Sequence, residues 1–351
     1  MRISNFAIAA AALAAMSCSP GPSSAQQAVA PAPIRTTGLD ADGLQAALAD
    51  AAALPRLNSI IVARDGRVLA ERSLDGRSLD APVNIKSASK SVLSALAGAA
   101  VARGEISVDQ KVLPLLAGRL PADPDPRLRE LTIDHLLSMR AGLRSTSGAN
   151  YGAWAASSDW VRAALAQPMA DAPGGRMIYS TGTSHLLSAA LSRAAGRSTL
   201  ELARDWLGEP LGIAIPAWSR DPQGTYFGGN DMRLSPRALF RFGELYRLDG
   251  VVDGRRVLPA GWVRQSWTPR GVSSWTGAGY GYGWWIGEAR GHPVYYAWGY
   301  GGQMVYIVPD LGLTVVMTSD ADAPREHGHI QALHRIVADR LVPAAELGAT
   351  S

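Results

Sequence analysis

Cysteine, lysine and long apolar runs are all scarce in this chain of 351 residues. The single cysteine, Cys18, excludes an intramolecular disulfide and any zinc site built from cysteines. Only three of the 34 basic residues are lysines, and no Lys/Arg cluster forms a phosphate-binding stripe. Nucleic acid is therefore not an expected partner.

The fingerprints of several large enzyme classes are also missing. The chain has no G-x-S-x-G elbow, no Walker motif and no G-x-G-x-x-G pattern, which argues against an α/β-hydrolase or a nucleotide-binding protein. What is present is a composition of 47% hydrophobic and 18% charged residues, typical of a chain that folds in water.

The beginning of the chain has the pattern of an export signal. Arg2 is followed by an apolar run from Phe6 to Met16, too short for the roughly 20 residues that cross a bilayer. We therefore predict that residues 1–17 are a signal peptide and that the protein is secreted to the periplasm.

The cysteine lies where a lipid anchor would be attached. Ala15-Met16-Ser17-Cys18 resembles a bacterial lipobox, in which the cysteine becomes the lipidated first residue, whereas Ser23-Ser24-Ala25 offers an ordinary signal-peptidase site. We predict lipidation of Cys18, and we expect this anchor to be the sole contact with a membrane. Residues 18–36, rich in Pro, Ser, Ala and Gln, are predicted to form a flexible tether.

Strand patterns at both ends of the remaining chain enclose a mostly helical middle. This arrangement predicts an α/β (α+β) fold in which both ends of the chain build one antiparallel sheet, flanked by helices and with a helical subdomain inserted. We assign residues 37–343 to this domain and 344–351 to a C-terminal tail. The predicted strands are 59–63, 67–71, 294–298, 304–308 and 313–318, and the predicted helices are 88–103, 132–139, 159–167, 182–195, 199–207, 236–248 and 328–341.

The sharpest chemical signal is Ser87-Ala88-Ser89-Lys90 at the start of a helical pattern. A helix N-terminus favours developing negative charge, and a lysine in a dry pocket can lose its proton and act as a base. Alone the motif is weak, because a serine that caps a helix before a solvated lysine is common.

Two further segments strengthen the signal. Tyr179 lies in a loop just before a predicted helix, and Ala297-Trp298-Gly299-Tyr300-Gly301-Gly302-Gln303 precedes a strand. Glycines in such a run let the backbone approach a substrate closely. Another loop, after Gly142, contains Ser145, Ser147 and Tyr151 and could border the pocket, although ordinary loop polarity is the simpler interpretation. Asn230-Asp231 has the pattern of a turn.

Together with the segments 131–142 and 234–243, these motifs resemble the serine β-lactamase and penicillin-binding superfamily over residues 40–342. The resemblance is closest to the branch that holds class C β-lactamases, D-aminopeptidases, β-lactamase-like esterases and 6-aminohexanoate-dimer hydrolases. It implies a β-lactamase/transpeptidase-like fold and hydrolysis of a small molecule through an acyl-enzyme, without metal or cofactor.

The resemblance also implies a role for each motif residue. Ser87 would be the acylated nucleophile, Lys90 would share its proton, and Tyr179 would relay that proton to the leaving group. Gly299 matches the glycine of the third motif, so the amides of Tyr300 and Ser87 would form the oxyanion hole.

Departures from the family pattern indicate the substrate. Thr181 stands where β-lactamases have the asparagine of the second motif, and Ala297 stands where the third motif usually has a lysine or histidine. Without that cation, a penicillin or peptide carboxylate lacks a partner. We therefore expect an esterase or amidase for a small acyl substrate, with Thr181, Trp298 and Gly299 contacting it.

Two alternatives remain at this stage. One is a β-lactamase or D-Ala-D-Ala carboxypeptidase-type enzyme. The other, from a different class, is a catalytically silent binding lipoprotein of the envelope that keeps the fold.

Overall fold

An antiparallel sheet assembled from both ends of the chain lies at the centre of the molecule. The structure is a computed structural model that describes residues 38–323 and 328–348. Within these residues the strands are β1 (Leu57–Arg64), β2 (Arg67–Ser73), β3 (Val83–Asn84), β4 (Arg233–Leu234), β5 (Val251–Val252), β6 (Arg255–Arg256), β7 (Gly271–Val272), β8 (Gly279–Tyr280), β9 (Trp285–Ala289), β10 (His292–Gly299), β11 (Gln303–Val308) and β12 (Leu313–Ser319).

The main sheet has eight strands in the order β2-β1-β12-β11-β10-β9-β8-β7. The first long strand therefore pairs with the last, in the register Ile61↔Val316. The pairs β3–β4 and β5–β6 form two small separate sheets. Residues Asp65 and Gly66 join β1 to β2 with φ angles of 48° and 81°, which a two-residue hairpin turn of this hand requires.

Helices cover both faces of the sheet. The α-helices in the described residues are α1 (Ala41–Ala52), α2 (Ser89–Ala102), α3 (Ile133–Leu137), α4 (Tyr151–Ala155), α5 (Trp160–Leu165), α6 (Thr181–Ala195), α7 (Thr199–Ala203), α8 (Glu209–Leu211), α9 (Pro236–Arg247), α10 (Trp262–Ser266), α11 (His329–Arg335) and α12 (Val342–Leu347). Turns of 3₁₀ helix lie at Lys86–Ala88, Leu113–Arg119, Pro126–Glu130, Gly148–Asn150 and Pro309–Leu311, and π-helical turns at Arg204–Gly208 and Ile336–Leu341.

Each face of the sheet has its own apolar core. Ile60 and Val62 contribute to the core that includes α1 and the C-terminal helices, whereas Ile61 between them contributes to the larger core around α2 and α9. Successive residues of a strand point to opposite faces. The run Ile60-Ile61-Val62 is therefore apolar without alternation because both faces are covered.

The predicted fold is confirmed, and so are the predicted strands and helices apart from their ends. The sequence patterns missed the helices α1, α4, α8 and α10 and the strands β3 to β9, of which β7 to β9 complete one end of the main sheet. The last helical pattern also continues beyond the expected end at residue 341, through α12 to Leu347. Pro343 lies near the start of α12, directly after the π-helical turn Ile336–Leu341.

The predicted signal peptide, the tether and Cys18 lie outside the described residues, as do residues 349–351 of the predicted tail. Across the ranges that are described, none of the helices combines the length and the apolar character needed to cross a membrane.

The central helix α2 is buried on all sides and packs through small residues. An added Cβ at Gly98 would lie 2.6 Å from the indole of Trp262, which is only 1% exposed. The helix therefore approaches α10 closely only because this position lacks a side chain.

Gly98→Ala should consequently lower the free energy of unfolding by about 1–3 kcal/mol, the usual cost of overpacking a core. Gly152→Ala in α4 is the matched control, because an added Cβ there meets nothing within 4 Å. That control should be neutral or slightly stabilising. Urea unfolding measures both variants, and equal midpoints for the two would contradict the packing argument.

Candidate active site

Ser87 lies in a 3₁₀ turn, Lys86–Ala88, immediately before α2. The α-helix itself begins at Ser89, so Ser87 precedes the helix by one short turn and does not cap it. Lys86 has φ 49°, and its amide donates to Asn84 Oδ1 at 2.8 Å. This bond holds the turn in a left-handed conformation that non-glycine residues seldom adopt.

Lys90 extends from the first turn of α2 back to Ser87. Its Nζ donates to Ser87 Oγ at 3.0 Å and to the carbonyl oxygen of Gly229 at 2.7 Å. The side chain is 4% exposed, and this burial lowers the pKa of Lys90 to about 7. The amine is thus partly neutral near pH 7 and has two fixed acceptors, Ser87 Oγ and the Gly229 carbonyl.

Tyr179 approaches the same serine from the loop before α6. Its hydroxyl hydrogen-bonds to Ser87, and its ring centroid lies 4.9 Å from Lys90 Nζ. Burial raises the pKa of Tyr179 to about 12, although the bond to Ser87 opposes the shift. The ring packs at 5.5 Å against Trp285. Ser87, Lys90 and Tyr179 therefore form one hydrogen-bonded group, as the motifs predicted.

The loop that follows Gly142 braces the second motif. Ser145 Oγ donates to the carbonyl of Tyr179 at 2.7 Å, and Ser147 Oγ accepts from the amide of Thr181 at 2.9 Å. The hydroxyls of Ser147 and Thr181 are also 2.9 Å apart. These serines therefore hold the backbone of the second motif in place. Thr181 is only 4% exposed, and its hydroxyl is committed to Ser147.

The third motif ends β10 beside the turn that bears Ser87. An added Cβ at Gly299 would lie 2.1 Å from the carbonyl oxygen of Ile85, so only glycine allows this approach. The residue after it, Tyr300, is 47% exposed. Behind the turn, Gln303 Nε2 donates to the carbonyl of Ser319 at 2.6 Å. The strand end is thus fixed on both sides.

Ala297 and Trp298 lie on opposite faces of β10. Ala297 is 1% exposed and packs in the core opposite Val305. Trp298 stacks on Trp275 with a centroid distance of 5.2 Å and an interplanar angle of 17°, and lies 5.4 Å from Trp285. We call Trp275, Trp285 and Trp298 the aromatic wall. Trp275 is 76% exposed, whereas Trp285 reaches Tyr179.

The sequence analysis missed Gly229, whose carbonyl holds Lys90. A backbone carbonyl cannot be recognised from residue types. The Gly228-Gly229 pair before Asn230 was nevertheless a sign of close backbone packing that the sequence offered. An added Cβ at Gly229 would lie 2.7 Å from Lys90 Cγ, so the position requires glycine. The predicted turn at 230–231 directly follows Gly229, and its Asn230 Nδ2 donates to the Tyr151 hydroxyl at 3.0 Å.

Metal ligands do not gather in this part of the molecule. Among residues 38–323 and 328–348 we find no group of three or more His, Cys, Asp or Glu side chains that could hold a metal ion. His329 hydrogen-bonds to Ser319 Oγ at 3.0 Å, and His334 lies 3.1 Å from the Tyr306 hydroxyl.

Comparison with known proteins agrees with this geometry. The Beta-lactamase family model matches residues 58–339. The chain belongs to the beta-lactamase family. It is therefore a hydrolase of the beta-lactamase fold. No curated protein matches the chain.

Several solved structures share the fold at low sequence identity. EstCE1, a hydrolase with promiscuous acyltransferase activity, is 18% identical with a TM-score of 0.71, covering 87% of this chain and 98% of its own. A D-stereospecific amidohydrolase from Streptomyces sp. is 20% identical with a TM-score of 0.67, covering 86% and 98%. A candidate 6-aminohexanoate-dimer hydrolase from Bacillus anthracis is 18% identical with a TM-score of 0.65, covering 87% and 81%.

The buried amine should make stability depend on pH. The pKa of Lys90 is about 7 in the folded chain, below the value of about 10.4 of an unfolded lysine. Between these values the unfolded state holds more protons, so the free energy of unfolding rises with pH. It should rise by about 2 kcal/mol more in the wild type than in Lys90→Met between pH 7 and pH 9. Urea unfolding at both pH values measures this, and parallel curves would place the pKa near its ordinary value.

Proposed function

We propose that the protein is a serine hydrolase that acts through an acyl-enzyme on an ester or amide bond of a small, uncharged acyl substrate. The observation that carries the proposal is the position of Lys90 Nζ, 3.0 Å from Ser87 Oγ and 2.7 Å from the Gly229 carbonyl, with a pKa lowered to about 7. A general base with a pKa near the working pH is the most effective one.

In the proposed reaction, neutral Lys90 takes the proton of Ser87 as Oγ bonds to the substrate carbonyl carbon. The carbonyl oxygen becomes an oxyanion, which the amides of Ser87 and Tyr300 would stabilise. Collapse of this intermediate breaks the bond to the leaving group and leaves the acyl chain on Ser87.

Tyr179 would pass the proton from Lys90 to the leaving oxygen or nitrogen. Its raised pKa of about 12 keeps the hydroxyl protonated at neutral pH, which suits a relay that donates one proton while receiving another. Attack by water on the acyl-serine repeats these transfers in reverse and releases the acid, which restores all three side chains.

Ala297 and the aromatic wall support an uncharged substrate. The Ala297 methyl group is buried in the core and offers no charge to a carboxylate, while Trp298 and Trp275 present apolar rings beside the strand that ends at Gly299. A buried carboxylate without a partner is costly. The names of EstCE1 and the D-stereospecific amidohydrolase are compatible with ester or amide substrates.

We further propose that the enzyme is exported to the periplasm and held there by a lipid on Cys18. This proposal rests on the sequence pattern of residues 1–18. The competing proposals are a β-lactamase or D-Ala-D-Ala carboxypeptidase and a silent envelope binding protein.

Ser87→Ala should abolish hydrolysis of p-nitrophenyl butyrate and leave the melting temperature unchanged, because the half-buried hydroxyl contributes little to packing. Tyr179→Phe should keep KM and lose most of kcat, on the order of 10²-fold or more, since only the proton-carrying oxygen is removed. Ser145→Ala removes the hydrogen bond to the Tyr179 carbonyl but no reacting group, so it should lower kcat much less than Tyr179→Phe. A Ser87→Ala enzyme that retains more than a few per cent of activity would rule out this nucleophile.

The missing cation predicts the order of substrates. We expect kcat/KM for p-nitrophenyl acetate or butyrate to exceed that for nitrocefin by at least about tenfold, equivalent to ~1.4 kcal/mol of transition-state stabilisation. Steady-state assays with both substrates on one purified sample measure the ratio. Comparable turnover of nitrocefin would favour the β-lactamase alternative, with another basic residue meeting the carboxylate.

A further inference from the structure

A buried polar chain lies behind the turn that carries Gly229. His185, on α6, is 0% exposed. Its Nδ1 accepts the amide of Gly228 at 3.2 Å, and its Nε2 lies 3.1 Å from Asp221 Oδ2. Because an amide can only donate, Nδ1 carries no proton, and Nε2 must donate to Asp221. The two contacts therefore fix both the tautomer and the direction of the ring.

Asp221 anchors the other end of this chain. Its Oδ2 also accepts Arg119 at 3.1 Å, and its Oδ1 accepts the amides of Gln223 and Thr225 at 2.9 and 2.8 Å. Burial alone would raise the pKa of this carboxyl, but the hydrogen bonds from His185, the Thr225 amide and Arg119 lower it to about 2. The carboxylate is thus a permanent acceptor for His185. Arg119 is held in turn by both oxygens of Asp159.

The series of polar side chains Arg119, Asp221 and His185 ends at the Gly228 amide. The next residue, Gly229, provides the carbonyl that accepts from Lys90. Gly228 and Gly229 are wedged in place, since an added Cβ would lie 2.3 Å from the Ser184 carbonyl oxygen at Gly228 and 2.7 Å from Lys90 Cγ at Gly229. Among the described residues, the side chain that accepts from the Gly228 amide is His185, through Nδ1. This amide lies two peptide units before the Gly229 carbonyl, so His185 fixes the start of the short segment that carries the acceptor of Lys90.

Simple packing does not account for a histidine here. Its ring is surrounded by Trp154, Trp160 and Phe227 at centroid distances of 5.9, 5.4 and 5.9 Å. A phenylalanine would suit this aromatic cage, and burying a polar chain with an ion pair is costly compared with apolar residues. What the polar chain adds is a defined orientation of one peptide group.

We infer that His185, oriented by Asp221 and Arg119, is a positioning residue that aims the Gly229 carbonyl at Lys90 Nζ and so directs the amine towards Ser87. The inference rests on the proposed role of Lys90 as the base. Within residues 38–323 and 328–348, the charged and titratable groups around His185 are Asp221, Arg119 and Asp159. The titratable side chain that faces Lys90 is Tyr179.

The test compares His185→Phe with Ser188→Ala. The first keeps an aromatic ring in the cage and removes the acceptor of the Gly228 amide. The second is the matched control, because Ser188 lies on the same helix, is 0% exposed and donates to the same loop at the Tyr226 carbonyl, at 2.8 Å. Asp221→Asn, which keeps the side-chain shape, serves if His185→Phe does not fold.

With p-nitrophenyl butyrate, His185→Phe should lower kcat at least about tenfold and leave KM within about twofold, because the loss is one of proton transfer. The pH profile of kcat/KM should rise with an apparent pKa near 7 in the wild type, and His185→Phe should shift this pKa by at least about half a unit. The shift is downwards if the site stays dry and upwards if water enters. Ser188→Ala should change neither. A His185→Phe enzyme with a lower melting temperature but an unchanged apparent pKa and kcat would overturn the inference.

A second readout does not need activity. The contribution of Lys90 to the pH dependence of the free energy of unfolding is the difference between the wild type and Lys90→Met. When His185→Phe is introduced into both of these proteins, the midpoint of that difference should shift by the same amount as the pH profile of kcat/KM. If the wild type hydrolyses no ester or amide, the proposed function fails, and this shift still decides whether His185 acts on Lys90. An unshifted pH dependence would overturn the inference by itself.

Discussion

One amine kept out of water, between a serine oxygen and a backbone carbonyl, is the interaction on which the site depends. Burial alone disfavours the charged form of Lys90 and lowers its pKa to about 7. The two acceptors at 3.0 and 2.7 Å then determine where the amine points. Without the dry surroundings the lysine would be fully charged at neutral pH, and without the acceptors it would have no fixed direction.

The fold supplies these conditions from separate parts of the chain. Helix α2 places Lys90 one turn after Ser87, the loop before α6 supplies Tyr179, and β10 brings the third motif against Ile85. Close approach is possible at several points because glycine occupies them. At Gly229 and Gly299 an added Cβ would lie 2.7 Å from Lys90 Cγ and 2.1 Å from the Ile85 carbonyl oxygen. The absence of side chains at these two positions thus allows the reacting groups to come together.

The sequence predicted those parts of the site that depend on residue type and spacing. The serine and lysine three residues apart, Tyr179 before a helix and Gly299 before a turn were all visible as patterns, and the structure brings them together. Gly229 was missed because it acts through a backbone carbonyl. His185 was missed because a lone histidine in an apolar helical pattern has no distinguishing neighbour in sequence. Asp221, its partner, is 36 residues away.

The short strands at the β7 end of the main sheet escaped the sequence analysis for a related reason. Strands β7 and β8 have two residues each, too few for an alternation of apolar and polar residues to be recognised. Helix α1 was missed although Asp40 caps it by accepting the Gly43 amide at 2.8 Å. The aromatic wall also depends on this edge, because Trp275 lies between β7 and β8 and meets Trp298 only when the sheet has formed.

The most direct test of the central claim is the rate at which a fluorophosphonate labels the folded protein as a function of pH. The reagent needs a nucleophilic serine and an adjacent base, and mass spectrometry locates the adduct. The account predicts a single adduct on Ser87, forming at a rate that rises with pH around a midpoint near 7 and is lost in Lys90→Met. Ser89, which is 0% exposed and donates to the Lys86 carbonyl, should remain unlabelled. No adduct in a folded sample, or labelling of Ser87 that is independent of pH and of Lys90, would contradict it.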